Sequence, residues 1–241
     1  MFIEADTHCH TVASTHAYST VMELAQSAKE AGLKAIAVTD HSIGGPDSPH
    51  IWYFHNFKNA IPREISGVTI IFGSEVNIMK LDGTLDMDEC ELKKLEWIVA
   101  SMHGTIMEEG SFDDYTECYL KVAENPYIDV IGHCATPKFK FDYEKVIPVF
   151  KKNNKLVELN ESALANKKGF KENYIEILNI CKKHEVPIVV NTDAHFCLSV
   201  GKTPLSQKLL SELDFPEELI VNKSFEKIKA HIISKRGNIF E

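Results

Sequence analysis

The sequence predicts an α/β protein, a TIM-like barrel of seven strand and helix units with its functional groups at the carboxyl ends of the strands. Seven short apolar segments of strand character occur along the 241 residues, and segments of helical periodicity separate most of them. This alternation favours a parallel sheet, because parallel strands need a crossover connection. With 44% hydrophobic residues and no internal repeat or linker, the chain can form one large core. We therefore expect a single domain over residues 1–241.

The first strand segment, residues 2–5, leads directly into Asp6-Thr7-His8-Cys9-His10. Side chains alternate between the two faces of a strand, so Asp6, His8 and His10 are expected on one face, with Thr7 and Cys9 on the other. Two imidazoles on one face can bind the same divalent metal ion. A lone His-x-His pair is as often a chance repeat on a half-buried strand. The later strands must therefore decide whether this pair binds metal.

Every later strand segment also ends on a polar group. Seven of the eleven histidines lie at or just after strand ends, whereas chance would scatter them over helices and loops. Because the carboxyl ends of the strands meet at one end of a barrel, these groups are expected to form one site. The later strand segments and the groups that follow them are 35–40 with His41, 68–74 with Glu75, 97–102 with His103, 128–132 with His133, 156–157 with Glu158 and Asn160, and 188–192 with Asp193 and His195.

The segments between the strands carry helix signals. Thr20 and Glu23 have the spacing of a capping box, and Gly32 ends the helix that they begin. A strand follows within a few residues, as expected for a βαβ unit. The other predicted helices cover 113–124, 143–152, 170–183, 205–213 and 224–236, the last of them ended by Gly237.

Residues 42–63 form the longest stretch without clear periodicity, and they carry Trp52, Tyr53, Phe54 and Phe57. Long loops in compact domains are usually functional or disordered, and aromatic residues favour an ordered one. We therefore expect a wall or lid over the ligand end that influences the choice of substrate. The alternative is a helix that packs its aromatic residues on the flank of the barrel.

Composition excludes several classes of protein. The formal net charge is −9 and there are only two arginines, which disfavours a surface that binds nucleic acid. No segment approaches the roughly 18 apolar residues of a membrane span, and no secretory leader is recognisable at the N-terminus. The six cysteines show no Cys-x-x-Cys pairing, so they are expected to be reduced. These features predict a cytoplasmic protein, and they leave open whether it forms a homo-oligomer.

Nine strand-end donors are too many for one metal ion. At three or four ligands per ion they fit three divalent ions, provided that Glu75 bridges two of them. A mixture of imidazole and carboxylate suits zinc, our first choice, or manganese or iron, and disfavours calcium and magnesium. The chain contains neither a phosphate-binding P-loop nor a Gly-x-Ser-x-Gly elbow, which leaves metal-assisted hydrolysis as the favoured chemistry. The nine donors are His8, His10, His16, His41, Glu75, His103, His133, Asp193 and His195.

These donors resemble the motif set of the PHP (polymerase and histidinol phosphatase) superfamily, and the sequence 14–19 around His16 is most similar to its YcdX-type phosphatase branch. The matching motifs are Asp6-x-His8-x-His10, Thr39-Asp40-His41, Gly73-x-Glu75, His103, Gly132-His133 and Asp193-x-His195. The resemblance implies a distorted (β/α)7 barrel with a trinuclear metal centre. It implies that the first metal is held by His8, His10, Glu75 and Asp193, the second by Glu75, His103 and His133, and the third by His16, His41 and His195.

The predicted reaction is hydrolysis of a small phosphate monoester by a hydroxide that bridges two metal ions, since a metal-bound water loses its proton near neutral pH. Glu75, Asp193 and His16 are the candidate catalytic residues. Three +2 ions against two carboxylates and a hydroxide leave a charge of about +3, which attracts a phosphate to an acidic protein. Segments 134–137 and 161 differ from the family pattern and leave the substrate undefined.

Several assignments stay open at this stage. Asp6 and Asp40 either orient His8 and His41 or make ordinary strand-end hydrogen bonds. Arg63 and Lys138 are candidate substrate contacts, although each can equally be a solvated charge. Two other functions are considered, a phosphodiesterase or exonuclease acting on nucleotides, and a non-catalytic module stabilised by metal.

Overall fold

Seven parallel strands build the protein, as a computed structural model of the chain shows; it describes residues 3–166 and 169–240. The strands are β1 Ala5–Cys9, β2 Ala35–Val38, β4 Val68–Asn77, β5 Trp97–Ser101, β6 Val130–Ile131, β7 Leu156–Asn160 and β8 Ile188–Asn191, with a short antiparallel strand, β3 Glu64–Ile65, added to β4. They pair in the order β1-β2-β4-β5-β6-β7-β8, and a bridge between Cys9 and Ala194 brings the two edges together. The predicted seven-stranded α/β barrel is therefore confirmed, and it is nearly closed.

Helices follow most of the strands and cover the outside of the barrel. The capping box of Thr20 and Glu23 is present at the start of the first helix, as predicted. None of the helices in the described part of the chain combines the length and the apolar character needed to cross a membrane. The helices are α1 Val21–Glu30, α2 Ile51–Ala60, α3 Glu89–Leu92, α4 Phe112–Glu124, α5 Tyr143–Lys152, α6 Glu161–Asn166, α7 Phe170–His184, α8 Pro204–Glu212 and α9 Phe225–Arg236.

Helix α9 closes the amino-terminal end of the barrel. Its residues Phe225, Ile228 and Ile232 pack against a separate cluster of inward-facing apolar side chains from the strands. Arg236 holds the helix in place through two hydrogen bonds to the buried carboxylate of Asp129, at 2.9 and 2.6 Å. Burial raises the pKa of Asp129, but the nearby cations outweigh this and lower it below its usual value. The barrel is thus open only toward the carboxyl ends of its strands.

A bulge in β1 changes which of its side chains face inward. Asp6 pairs with Ile36 but Cys9 pairs with Val38, so β1 carries one extra residue between these pairs. Thr7 consequently donates a hydrogen bond to Asn191 of β8 at 2.8 Å. The prediction that Asp6 shares a face with His8 and His10 is wrong, because the bulge interrupts the alternation on which it was based.

The stretch 42–63 consists of a loop, residues 42–50, followed by helix α2 over ten residues. Helix α2 buries Phe54 and Phe57, and the Phe57 ring stacks on Phe72 of β4 with a centroid distance of 4.5 Å. Trp52 points into solvent with 73% of its surface exposed. The prediction of a wall over the ligand end therefore holds for the loop before α2, whose Pro46 and Asp47 line the cavity at the open end of the barrel. For Phe54 and Phe57 the alternative of a helix packed on the flank is confirmed. Tyr53 lies nearer the open end, where its hydroxyl donates to Asp40.

Candidate metal centre

Glu75 lies at the centre of the open end and presents each carboxylate oxygen to a different set of imidazoles. Its Oε2 is 3.4 Å from His8 Nε2 and 3.0 Å from His41 Nδ1. Its Oε1 is 3.4 Å from His103 Nε2 and 3.0 Å from His133 Nε2. Strand β4 places this side chain by alternation, since Ile71 on the same face packs inside the barrel. A carboxylate in this position can bridge two metal ions.

Asp193 lies beside both His8 and His10. Its Oδ1 is 3.1 Å from His10 Nε2 and 3.6 Å from His8 Nε2. Asp193 follows β8 with φ of 55°, and His133 follows β6 with φ of 23°. Such backbone angles are unfavourable for residues with a side chain and occur often at functional sites.

A third group of imidazoles, from His195, His16 and His41, extends from His10 toward solvent. His195 stacks on His10 with a centroid distance of 4.3 Å and on His16 at 4.5 Å. The Nε2 atoms of His195 and His16 are only 2.8 Å apart, and His41 stacks on His16. All nine residues predicted as ligands are thus brought together at one end of the barrel.

In most of these imidazoles a protein group contacts Nδ1 and thereby sets the orientation of the ring. An acceptor or hydroxyl group lies close to Nδ1 in five of them, which leaves Nε2 for the centre. Metal-binding histidines are commonly oriented in this way by a group on their other nitrogen. The contacts are His8 with Glu158 Oε1 at 2.7 Å, His103 with Asn77 Oδ1 at 2.7 Å, His10 with Ser14 Oγ at 3.3 Å, His195 with the Asp193 carbonyl oxygen at 3.0 Å, and His16 with Asp47 Oδ2 at 3.2 Å.

Several buried polar atoms at the centre have no hydrogen-bond partner in the described part of the chain. They are the Nε2 atoms of His8, His10 and His41, and Oδ1 of Asp193. Buried polar atoms are otherwise nearly always paired, because leaving one unpaired costs roughly 1–3 kcal/mol. Imidazole and carboxylate donors of this kind suit zinc and other transition metals. The residues present therefore fit divalent metal ions.

The carboxylates of the centre remain ionised despite their burial. Burial alone raises the pKa of Glu75, but attraction by His8, His103 and His41 outweighs it and lowers this pKa well below its usual value. Burial likewise raises the pKa of Asp193, which the neighbouring His8 and His10 then lower. Burial lowers the pKa of His10 to about 4, so this imidazole is neutral and able to bind metal.

Sequence reasoning missed Asn77, Ser14 and Asp47 as partners of the predicted ligands, and it named Glu158 only as a polar group at a strand end. Glu158 and Asn77 both lie on strands, and their inward direction follows from strand alternation once Leu156 and Glu75 are placed. Ser14 and Asp47 lie in loops, and no periodic signal marks them. Glu158 also accepts a hydrogen bond from the His133 backbone at 2.8 Å, so it links two ligands.

Asp6 and Asp40 do not touch His8 or His41. Asp6 accepts hydrogen bonds from Thr192 and Gly201, which lie after β8. Asp40 accepts a hydrogen bond from Ser14 Oγ at 2.7 Å. The same Ser14 oxygen is 3.3 Å from His10 Nδ1. Of the two alternatives left open by the sequence, the structure supports hydrogen bonds at the strand ends, and Asp40 is linked to His10 through Ser14.

The two predicted substrate contacts lie in different places. Arg63 pairs with Glu96 through two hydrogen bonds of 2.6 and 2.7 Å and also binds the Ile70 carbonyl oxygen, five residues before Glu75 on β4. It lies toward the closed end of the barrel, so the structure does not support it as a substrate contact. Lys138 lies at the open end, where its Nζ is 3.3 Å from the carbonyl oxygen of Gly104.

A cavity of about 510 Å³ opens directly above the centre. Seven of the nine predicted ligands line it, together with Asp47 and Gly104. Its remaining walls come from segments that follow the strands, including Pro46 and Ile106 in loops and Ala163 in α6. This volume is within the range of small-molecule sites.

Asp47 provides a first test of this geometry. Replacing it by Asn removes the charge that faces both His16, at 3.2 Å, and His41, at 3.7 Å. We expect the affinity for a metal ion at these two histidines to fall by about 10- to 100-fold, while metal ions at the other proposed positions are retained. Metal content after dialysis measures this loss. Asp88→Asn, the same change at a helix cap outside the cavity, should leave the metal content unchanged; equal loss in both variants would contradict the role of Asp47.

Comparison with known proteins agrees with this geometry. The family model described as the PHP domain matches residues 6–179. The chain is 40% identical over 230 residues to a "Probable phosphatase" of Clostridium botulinum (strain Langeland / NCTC 10281 / Type F), which covers 95% of this chain and 94% of that protein. It is 41% identical over 234 residues to a "Probable phosphatase" of Acetivibrio thermocellus, covering 97% of each.

One solved structure with a similar fold is the histidinol phosphate phosphatase of Lactococcus lactis, determined with zinc, L-histidinol and phosphate. It matches with a TM-score of 0.63 and 17% identity, covering 90% of this chain and 95% of that chain. At this identity the match confirms the barrel fold alone.

Proposed function

The chain belongs to the PHP domain family, and on this basis we propose that it is a metal-dependent phosphatase that hydrolyses small phosphate monoesters. The observation that supports this most directly is the position of Glu75 between two sets of imidazoles, with the orphaned nitrogen atoms of His8, His10 and His41 around it. Relatives named as phosphatases over nearly the whole chain favour the same function.

We propose three metal positions. His8, His10, Glu75 and Asp193 would hold the first metal, and Glu75, His103 and His133 the second. His16, His41 and His195 would hold the third, with Asp47 fixing His16. Groups of three donor atoms close enough for one ion overlap each proposed set without matching it fully. They are His8, His10 and Glu75; His41, Glu75 and His103; His10, His41 and His195; and His16, His41 and Asp47. The donor types favour zinc, with manganese or iron as alternatives.

The residues of the centre would bind and orient the reactants. Divalent ions, when bound, supply a hydroxide nucleophile near neutral pH and neutralise the charge of a phosphoryl group. Glu75 and Asp193 remain ionised and would fix the nucleophile beside His8 and His10, while His16 would help to hold the phosphoryl group. Lys138, at the rim, would contact the substrate.

Cysteine nucleophiles are disfavoured by burial. Cys9 and Cys134 adjoin ligands in sequence, but both are fully buried and pack in the main apolar core. Burial raises the pKa of Cys134 to about 12 and raises that of Cys9 well above its usual value. Neither thiol is therefore an effective nucleophile at neutral pH.

We predict direct attack of water on phosphorus without a phosphoenzyme. Such a reaction inverts the configuration at phosphorus, whereas two successive displacements through a side chain retain it. The measurement is the stereochemical outcome on an isotopically chiral phosphate ester, with Cys9→Ala and Cys134→Ala assayed in parallel. Net retention, or loss of turnover in either variant with its metals still bound, would contradict the direct mechanism.

The reaction class is tested by a substrate screen of the metal-loaded protein. We expect turnover of small monoesters, including sugar phosphates and histidinol phosphate, and little turnover of phosphodiesters or of nucleic-acid ends. Preference for diesters would favour the alternative phosphodiesterase function. Full metal content without any turnover would favour a non-catalytic module.

We further propose that residues 1–241 form one domain, since α9, beyond the segment matched by the family model, closes the barrel. The six free cysteines favour action in a reducing compartment, the cytoplasm.

A further inference from the structure

A second cavity lies beside the metal centre. It has a volume of about 610 Å³, which is also typical of small-molecule sites. Ser162, Asp193 and His195 line both this cavity and the one above the metal centre. The two cavities therefore adjoin along a wall that contains two proposed metal ligands.

The second cavity is unusually apolar for an exposed surface. Among the described residues, ten large hydrophobic side chains are strongly exposed, and four of them line this cavity. A concentration of exposed apolar side chains marks a binding surface more often than a chance distribution. The four residues and their exposed fractions are Tyr18 72%, Phe196 47%, Leu198 60% and Leu205 41%.

The aromatic side chains of this cavity lie on two loops that also carry proposed metal ligands. The Tyr18 backbone N–H donates to the His195 carbonyl oxygen at 2.8 Å, and Cys197 N–H donates to Ser19 Oγ at 2.9 Å. Tyr18 is two residues from His16, and Phe196 follows His195 directly. Two loops that carry metal ligands are thus joined so that their aromatic side chains face the same cavity.

The charges in the cavity disfavour a highly anionic ligand. Lys202 is the one lysine or arginine among its described lining residues. Glu161 also lines it, but its carboxylate accepts hydrogen bonds from Leu205 N and Ser206 N, both at 2.8 Å. The remaining surface available to a ligand is mostly apolar.

We propose that this cavity binds the organic part of the substrate, so that the substrate is the phosphate monoester of a small aromatic or apolar alcohol. This inference rests on the proposed phosphatase function. With the phosphoryl group at the centre, an aromatic leaving group would pack against Phe196, Tyr18 and Leu198. Burial of its surface would favour such esters over compact polar ones such as glycerol phosphate.

Non-hydrolysable phosphonates test this subsite separately from the chemistry. Methylphosphonate and 2-phenylethylphosphonate share the head group, so their affinities for metal-loaded protein, measured by calorimetry, differ only through the organic part. We expect the phenylethyl compound to bind at least about tenfold more tightly, as burial of an aromatic group typically provides. Phe196→Ala and Leu198→Ala should each reduce this preference severalfold without changing the affinity for methylphosphonate.

Trp52→Ala is the control, because Trp52 is a strongly exposed aromatic residue outside both cavities. It should retain the full preference for the phenylethyl compound. Equal affinity of the wild-type protein for the two phosphonates would overturn the subsite while leaving the proposed function intact. Failure of both phosphonates to bind would overturn the proposed function and the subsite with it.

Discussion

Glu75→Gln is expected to lower kcat/KM by more than about a hundredfold, because residues that merely support a metal ligand already contribute 10- to 100-fold. Glu75 contacts His8 and His41 with one oxygen and His103 and His133 with the other. The amide keeps the shape of the side chain but loses the charge and one of the two acceptor oxygens. The variant should therefore bind two of the three proposed metal ions less tightly.

The control for this variant is Glu96→Gln, the same substitution in another buried glutamate. Glu96 pairs with Arg63 at the opposite end of the barrel. Loss of that pair should lower the free energy of unfolding while metal content and kcat/KM stay near the wild-type values. If Glu75→Gln retained its metals and its activity, Glu75 would not be a bridging ligand.

Removal of metal with a chelator is expected to abolish activity completely and to destabilise the fold. Without metal, the buried carboxylates of Glu75, Asp193 and Glu158 repel each other and the orphaned imidazole nitrogens remain unpaired. Binding to the native state alone stabilises it by about 2.7 kcal/mol when the free metal concentration is 100 times Kd. For a chain of this size that corresponds to a fall in Tm of roughly 5–10 °C on chelation.

Calorimetric melting before and after chelation measures the second effect. Readdition of zinc or manganese should restore both Tm and activity, which separates metal loss from irreversible unfolding. Unchanged activity and Tm in protein shown to be free of metal would contradict a metal-dependent function.

The grouping of the nine candidate ligands could be predicted from the sequence because a parallel barrel brings the carboxyl ends of all its strands together. Once the strands were recognised, the polar groups at their carboxyl ends were expected to lie close together. This applies even to strands far apart in the sequence, such as those of Glu75 and His133. Their side chains are 3.0 Å apart in the structure although 58 residues separate them. No local pattern was needed beyond the strand and the residue that follows it.

The remaining features depend on contacts that no local pattern encodes. The bulge in β1 is visible only in its pairing with β2, and it turned Asp6 away from the ligand face. Helix α2 has a broad distribution of aromatic residues, so its buried face became apparent only against Phe72. Asp47 reaches His16 from a loop whose path is set by tertiary contacts.

The Arg63 assignment failed for a related reason. A lone arginine in a sequence gives no indication of which carboxylate it meets, and Glu96 lies 33 residues away. Pairing with a buried carboxylate is a structural role that sequence position could not distinguish from substrate binding.

We propose that nine residues bind three metal ions at the open end of the barrel. The most direct test is elemental analysis of fully loaded, desalted wild-type protein together with its protein concentration. We expect three divalent transition-metal ions per chain, falling to about one in Glu75→Gln. A reproducible stoichiometry of one ion per chain in the fully loaded wild-type protein would contradict it.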